Sequence, residues 1–425
     1  MPPLDRGRGK LPDYRQQIPT VSTPARIPFD FRSPAFIADP YLFYDRLRAT
    51  CPVYPLTPGA WLITRYADAD RVLRDPRFGK DFLTGMERRY GRDMSAEPAF
   101  AVICRFMLVM NPPEHTRLRL LVSKAFSAKQ AGELRRLARR TAEELVDGFI
   151  EAGCADLVCE FAYPLPVRII CAMLGIGLED SLLFQQETQA LLKVFELAPL
   201  SAEEIAAANA AADLFLEYFG EVCRQRRRQP GTDLVSLLLK AEVGDDRLDE
   251  DEVIANIVML FLAGHETTAN MLGNSLLALY RHPDQLASVK ADPSLIPQAI
   301  EECLRYDSSV QVAARVALER VQLGDVTVEP GETVYINLGA ANRDPAVYEA
   351  PERFSIHRPA GSKNALSFGG GIHYCLGARL ARIELEEALE VLFTRLPELS
   401  IKGLESPRWK QTLTIRGLEE LWAVW

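Results

Sequence analysis

The sequence predicts a mainly α-helical protein with a minor antiparallel β portion. Three observations carry this. Apolar positions recur at helical spacing through most of 34–425, with only short Pro/Gly breaks. Alternating, β-branched segments are few and gather in three places beside turn-forming residues. No linker divides the periodic region, so 28–425 reads as a single domain. Residues 1–27, rich in Pro, Arg and Gln, read as an N-terminal arm on the surface.

In chain order, helices are expected at 40–49, 67–73, 114–126, 129–152, 156–174, 180–195, 202–228 and 233–242. Four more follow at 249–281, 283–291, 296–306 and 376–395. Ser201 with Glu204 three residues on is a capping box. The basic run 224–228 closes its helix just before Gln229-Pro230, where cations complement the helix dipole. The helix over 249–281 is apolar nearly all round, so it should cross the core rather than lie on it. Strands at 53–56 and 61–64 flank Pro58-Gly59 as a hairpin. A second group, 312–318, 326–328 and 333–336, surrounds Pro330-Gly331, and a third spans 411–415 and 421–424.

Composition narrows the function. The chain has 425 residues, 48% hydrophobic and 25% charged, with net charge −9, which argues against a nucleic-acid partner. No apolar run approaches the roughly 18–20 residues that span a bilayer. The start, Met-Pro-Pro-Leu-Asp-Arg, has no apolar stretch, so neither signal peptide nor membrane anchor is expected and the protein should be cytoplasmic. The eight cysteines form no C-x-x-C pair, and only His373 and Cys375 lie close together, which does not suit zinc. Reduced, buried cysteines in a reducing compartment are the better reading.

The most informative stretch is Phe368-Gly-Gly-Gly-Ile-His-Tyr-Cys375-Leu-Gly377. Its glycines let a flat cofactor approach the main chain. The helix start behind Cys375 turns unpaired N–H groups toward the sulfur, favouring thiolate. Such a thiolate can serve as an axial haem ligand. The loop resembles the cysteine-ligand signature of the cytochromes P-450, the haem-thiolate monooxygenases. Phe368, Gly369, Gly371, His373, Cys375 and Gly377 match its fixed positions. The resemblance implies the cytochrome P-450 fold of the soluble bacterial type. Haem b would lie between a long distal helix and this loop, with Cys375 as the metal ligand.

Further residues follow by the same resemblance. Ala263-Gly264-His265-Glu266-Thr267-Thr268 is similar to the family's distal helix, where the small pair Ala263 and Gly264 lets the helix pass over the haem. Thr267 would hydrogen-bond the bound dioxygen, and Glu266 would relay protons to it through ordered water. Glu302 and Arg305, with Arg353 downstream, would form the buried network that holds the cysteine loop. His115 and Arg119, spaced i, i+4 on one helix face, would bind haem propionates together with Arg315 and His373. The sequence departs from the family at Asp307-Ser308-Ser309, where relatives usually carry a proline, leaving the path of 310–313 open.

The resemblance therefore implies insertion of one oxygen atom from O2 into an apolar or amphipathic small molecule. Pocket walls are expected from 78–110, 184–199, 258–268 and 310–313. Use of peroxide, or substrate rearrangement, is the alternative within chemistry, and a non-catalytic haem-binding protein the alternative outside it. Glu266 and Thr267 speak against both. No flavin or iron–sulfur segment is visible, so a ferredoxin or similar small acidic redox protein, with its reductase, should supply electrons. It would dock under Cys375 on a patch including Arg117, Lys124, Arg379 and Arg382.

Overall fold

The computed structural model describes residues 30–127, 131–179, 184–243, 246–359 and 363–425. The expected N-terminal arm, 1–27, lies outside the described residues, as do the starts of the helices expected at 129 and 180.

The helix Glu250–Arg281 runs through the middle of the molecule. Its start is fixed by a reciprocal cap, in which Glu252 N donates to Asp249 Oδ1 at 2.8 Å and Asp249 N to Glu252 Oε2 at 3.0 Å. It ends before Pro283, which opens the next helix, Pro283–Ala291. Because its apolar residues face every direction, other helices cover it on several sides: Pro164–Leu174, Ala202–Arg228, Ile296–Tyr306 and Ala378–Arg395. Phe215 and Phe219, one turn apart on Ala202–Arg228, meet Phe261 of the central helix at ring distances of 5.9 and 5.8 Å. Each such fully buried side chain contributes about 1.5–3 kcal/mol.

The main sheet has five strands in the order Val53–Thr57, Ala60–Ile63, Thr333–Asn337, Val312–Ala317 and Phe78–Gly79. Three of its pairings are antiparallel, while Ala60–Ile63 lies parallel to Thr333–Asn337. This sheet brings Arg315 beside the segment after Gly79. A small hairpin pairs Val321–Leu323 with Val326–Val328 across Gly324, whose φ of +59° suits glycine.

A third sheet orders Ser400–Ile401, Trp422–Val424 and Cys154–Asp156, and it corrects the expected helix over 156–174. Asp156 is spent on the strand: its carboxylate accepts from Val158 N at 3.0 Å and Leu421 N at 2.8 Å. A π-helical turn, Val158–Ala162, follows, and the helix proper starts at Pro164, where the missing N–H does no harm. The expected strand over 411–415 is instead a turn. Thr412 Oγ1 donates to Ile415 O at 2.5 Å, and its β pairing is limited to isolated bridges, Trp409 with Leu418 and Val310 with Ile415. Short helices at Pro34–Ala38, Phe82–Tyr90 and Pro98–Ile103 add to those expected. Among the described residues, no helix is long and apolar enough to cross a membrane.

Candidate active site

The cysteine loop is shaped by two glycines in the left-handed region, Gly369 at φ +70° and Gly371 at +66°. At Gly371 a Cβ would lie 2.3 Å from Leu73 O, so the loop presses against backbone and admits no side chain there. Cys375 N donates to Phe368 O at 3.0 Å, and the helix Ala378–Arg395 starts directly behind, with Gly377 as its N-cap. Arg382 lies over the Phe368 ring at 4.5 Å and covers the loop from below. Cys375 is accessible, yet protein surrounds it closely enough that burial pushes its thiol pKa up. The backbone N–H groups of Gly377 and Ala378, with Arg119 and Arg382, pull the other way without overcoming burial. The helix-start N–H groups thus act in the direction the sequence reading expects, and a bound cation would add to them.

An accessible stretch interrupts the central helix. Residues on both sides of it are buried, but Ala263 is exposed and Gly264 and Thr267 are half-buried, although this helix crosses the core. Thr267 Oγ1 donates to Ala263 O at 3.1 Å, so its only hydrogen is engaged within the helix and must swing away to serve another acceptor. Gly264 has a packing reason of its own. A Cβ there would meet Ile170 at 3.1 Å, so its small size also lets Pro164–Leu174 close on the helix.

Beside the cysteine loop stands an unneutralised cluster. His115 and His373 pack with ring centroids 4.2 Å apart, and His115 Nδ1 and His373 Nε2 are buried without partners. Burial, followed by the charges of Lys80, Arg315 and Arg119, pushes His373 far below the usual range. Burial also lowers Arg315, to about 10, and with the Arg315 charge it pushes Lys80 well below its usual value. Arg119 Nη2 donates to Tyr374 O at 2.8 Å. Among the described residues, no carboxylate pairs with Lys80, His115, Arg119, Arg315 or His373. Basic side chains beside two orphaned imidazoles suit an anionic group, and the propionates of haem fit there. Lys80, missed by the sequence reading, enters because the main sheet brings it to Ala314 O, to which its Nζ donates at 2.9 Å.

The network that holds the loop differs from expectation in one member. Glu302 pairs with Arg305 through two 2.7 Å hydrogen bonds. The second cation on Glu302 is Arg358, whose Nε lies 2.9 Å from Oε2, and not Arg353. The Arg353 side chain is exposed; its carbonyl accepts from Arg305 at 3.0 Å and Arg358 at 2.7 Å. Arg305 also reaches Asn342 O at 3.1 Å. Asn342 in turn holds Leu366 N at 2.7 Å and Ser367 Oγ at 2.9 Å, just ahead of the cysteine loop.

At the departure after Tyr306, polar cross-links replace the missing ring. Asp307 accepts from Tyr41 Oη at 2.7 Å and Arg416 Nε at 3.0 Å, and Gln311 N donates to Thr414 O at 2.9 Å. Glu266 is buried and paired. Lys410 Nζ lies 2.8 Å and Asn270 Nδ2 3.0 Å from its Oε1. Burial favours protonation, but the charge and hydrogen bond of Lys410, with Asn270, outweigh it and hold the carboxyl below its usual range. Within the expected docking patch, Arg117 pairs with Glu252 and Arg382 with Glu301.

Together, an accessible cysteine at a helix start and a neighbouring cluster of basic side chains without carboxylate partners would suit a flat, anionic cofactor. Residues 173–402 match the family model for Cytochrome P450. Cytochrome P450 133B1 of Xylella fastidiosa (strain 9a5c) is 43% identical over 392 residues, covering 92% of this chain and 97% of its own. Among solved structures, P450BioI in complex with acyl carrier protein ligated to hexadec-9Z-enoic acid superposes with a TM-score of 0.84 at 35% identity. That match covers 92% of this chain and 100% of that one. Myxobacterial CYP267B1 in complex with myristic acid gives 0.85 at 34% identity, over 93% and 98%. The chain belongs to the cytochrome P450 family and is accordingly a haem b monooxygenase.

Proposed function

We propose that the enzyme inserts one oxygen atom from O2 into an apolar or amphipathic small molecule. The observation that carries this reading is the accessible patch Ala263, Gly264 and Thr267 in an otherwise buried helix, together with the accessible Cys375. Haem held there supplies the redox centre at which dioxygen is reduced. Cys375 is its iron ligand, with Phe368, Gly369 and Gly377 shaping the contact. His115, Arg119, Arg315, His373 and Lys80 hold the propionates. Glu302, Arg305 and Arg358 keep the loop in place. Thr267 would offer its hydroxyl as a donor on this side once it leaves Ala263 O, and Glu266 would supply protons by way of water.

The pocket side supports an extended apolar ligand. Phe82 packs against Phe100 and Phe195 at ring distances of 6.1 and 5.9 Å, and Val310 bridges to Ile415. Two structural neighbours hold acyl chains by their descriptions, which favours an acyl chain here. Electrons come from a ferredoxin or similar small redox protein with its reductase. Around the cysteine loop, Leu120, Ile372 and Tyr374 are exposed beside Arg379, so docking there is read largely by apolar contact. Among the described residues no cysteine forms a disulfide, which suits a reducing, cytoplasmic setting.

The test is addition of myristic acid, free and as a carrier-protein thioester, to the ferric holoprotein. The expected result is a shift of the haem spectrum on displacement of water, followed, once NAD(P)H and a reconstituted electron-transfer chain are added, by an oxygenated product that takes its new atom from O2. A product whose new atom does not come from labelled O2 would overturn the reading.

A further inference from the structure

Two carboxylates important to closure and chemistry converge on one short turn, 409–418. The first is Glu196, in the loop 193–200 that follows the helical segment Gln185–Leu192. Its carboxylate accepts from Leu413 N at 3.0 Å, from Thr414 N at 3.3 Å and from Thr414 Oγ1. Its carbonyl accepts from Arg89 Nη1 at 2.6 Å, and Leu200 N donates to Tyr90 Oη at 3.0 Å. The loop is thus fastened to Phe82–Tyr90 on one side and to the turn on the other, over the apolar pocket wall.

The second is Glu266, which the same turn holds through Lys410. Between Lys410 and Thr414 the chain has little freedom, since Thr412 closes the tip onto Ile415 O and Lys410 N donates to Gly417 O at 2.9 Å. The base of the turn rests on the central helix. Asn274 Nδ2 donates to Arg416 O at 3.1 Å, and a Cβ on Gly417 would lie 1.9 Å from Asn270 Oδ1. Asn270 is the other donor to Glu266. The turn therefore touches both groups that orient the carboxylate.

We propose that Lys410 is a positioning residue for Glu266, and that the turn carrying it couples closure of the 193–200 loop, through Glu196, to that positioning. The proposal rests on the relay reading of Glu266. The two states are the Glu196 latch made, as seen here, and broken. With the latch made, Lys410 and Asn270 hold Glu266 in one orientation while the loop keeps bulk water from the pocket. With it broken, the tip is released, Lys410 loosens, and proton delivery loses its fixed donor. Closure over substrate and readiness of the relay then occur together, which limits wasteful reduction of oxygen in the open enzyme.

The test combines Glu196→Gln and Lys410→Met, singly and together, in the holoenzyme with bound ligand. Hydrogen exchange at the Leu413 and Thr414 amides reports the latch, and the solvent isotope effect on turnover reports proton delivery. Glu196→Gln should speed exchange and alter the isotope effect. Lys410→Met should also speed exchange at the same two amides, although it touches neither. The double variant should fall short of the product of the single effects by about fivefold or more, the scale of an ordinary coupling. Unchanged exchange in Lys410→Met, with multiplicative effects in the double variant, would overturn the coupling. A Glu266→Gln enzyme with an unaltered isotope effect would remove the relay reading, while faster exchange in Lys410→Met would still establish the mechanical link.

Discussion

Thr267→Ala is expected to keep its haem and its ligand-induced spectral shift while the product formed per NAD(P)H consumed falls about tenfold or more. The lost reducing equivalents should appear as hydrogen peroxide in solution. The side chain is half-buried and bonds only to Ala263 O, so its loss opens no large cavity, and alanine is the better helix former by up to about 0.7 kcal/mol. Stability should therefore hold or rise slightly, which separates a chemical role from a packing one. The check is product yield against NAD(P)H oxidation with a reconstituted electron-transfer chain. Full coupling in the variant would reduce Thr267 to a helix-packing residue.

The second large effect concerns the network beneath the cysteine loop. Arg358→Met leaves the Glu302 carboxylate with one cation in place of two, in a site where both side chains of the Glu302–Arg305 pair are nearly inaccessible. Removing one partner of such a group typically costs about 3–5 kcal/mol, enough to lose most of the holoprotein. Arg353→Ala keeps the carbonyl that the network uses and removes only an exposed side chain, so its effect should stay within about 0.5 kcal/mol. Haem content on purification and thermal unfolding of the two variants decide the matter. Equal losses in both would show that Arg353 contributes through its side chain after all.

The contrast between these two arginines shows where sequence reasoning stops. The cysteine loop was legible because its chemistry is local: glycines, His373, Cys375 and the helix start lie within ten residues. The long central helix was legible from its apolar character, while its Asp249 cap emerged only in the structure. What could not be read were partners chosen by the fold. Arg358 reaches Glu302 across 56 positions, and Lys410 reaches Glu266 across 144. Lys80 joins the cationic cluster only because Phe78–Gly79 pairs with Val312–Ala317 at the sheet edge. A cue did exist for Lys80, since it directly follows that short strand, but one cation near a turn normally faces solvent. The expected helix at 156 and strand at 411 failed for a related reason: Asp156 and Thr412 bind the backbone, and such bonds override a propensity.

The account depends most on Cys375 as the ligand of a haem iron. The absorption spectrum of the reduced, carbonyl-bound protein tests this directly, before any substrate or redox partner is known. The native chain should show the strongly red-shifted Soret band of thiolate ligation, and Cys375→His, if it retains haem, should lose it. An unshifted band in the native protein, or a red-shifted band that survives in Cys375→His, would contradict the account.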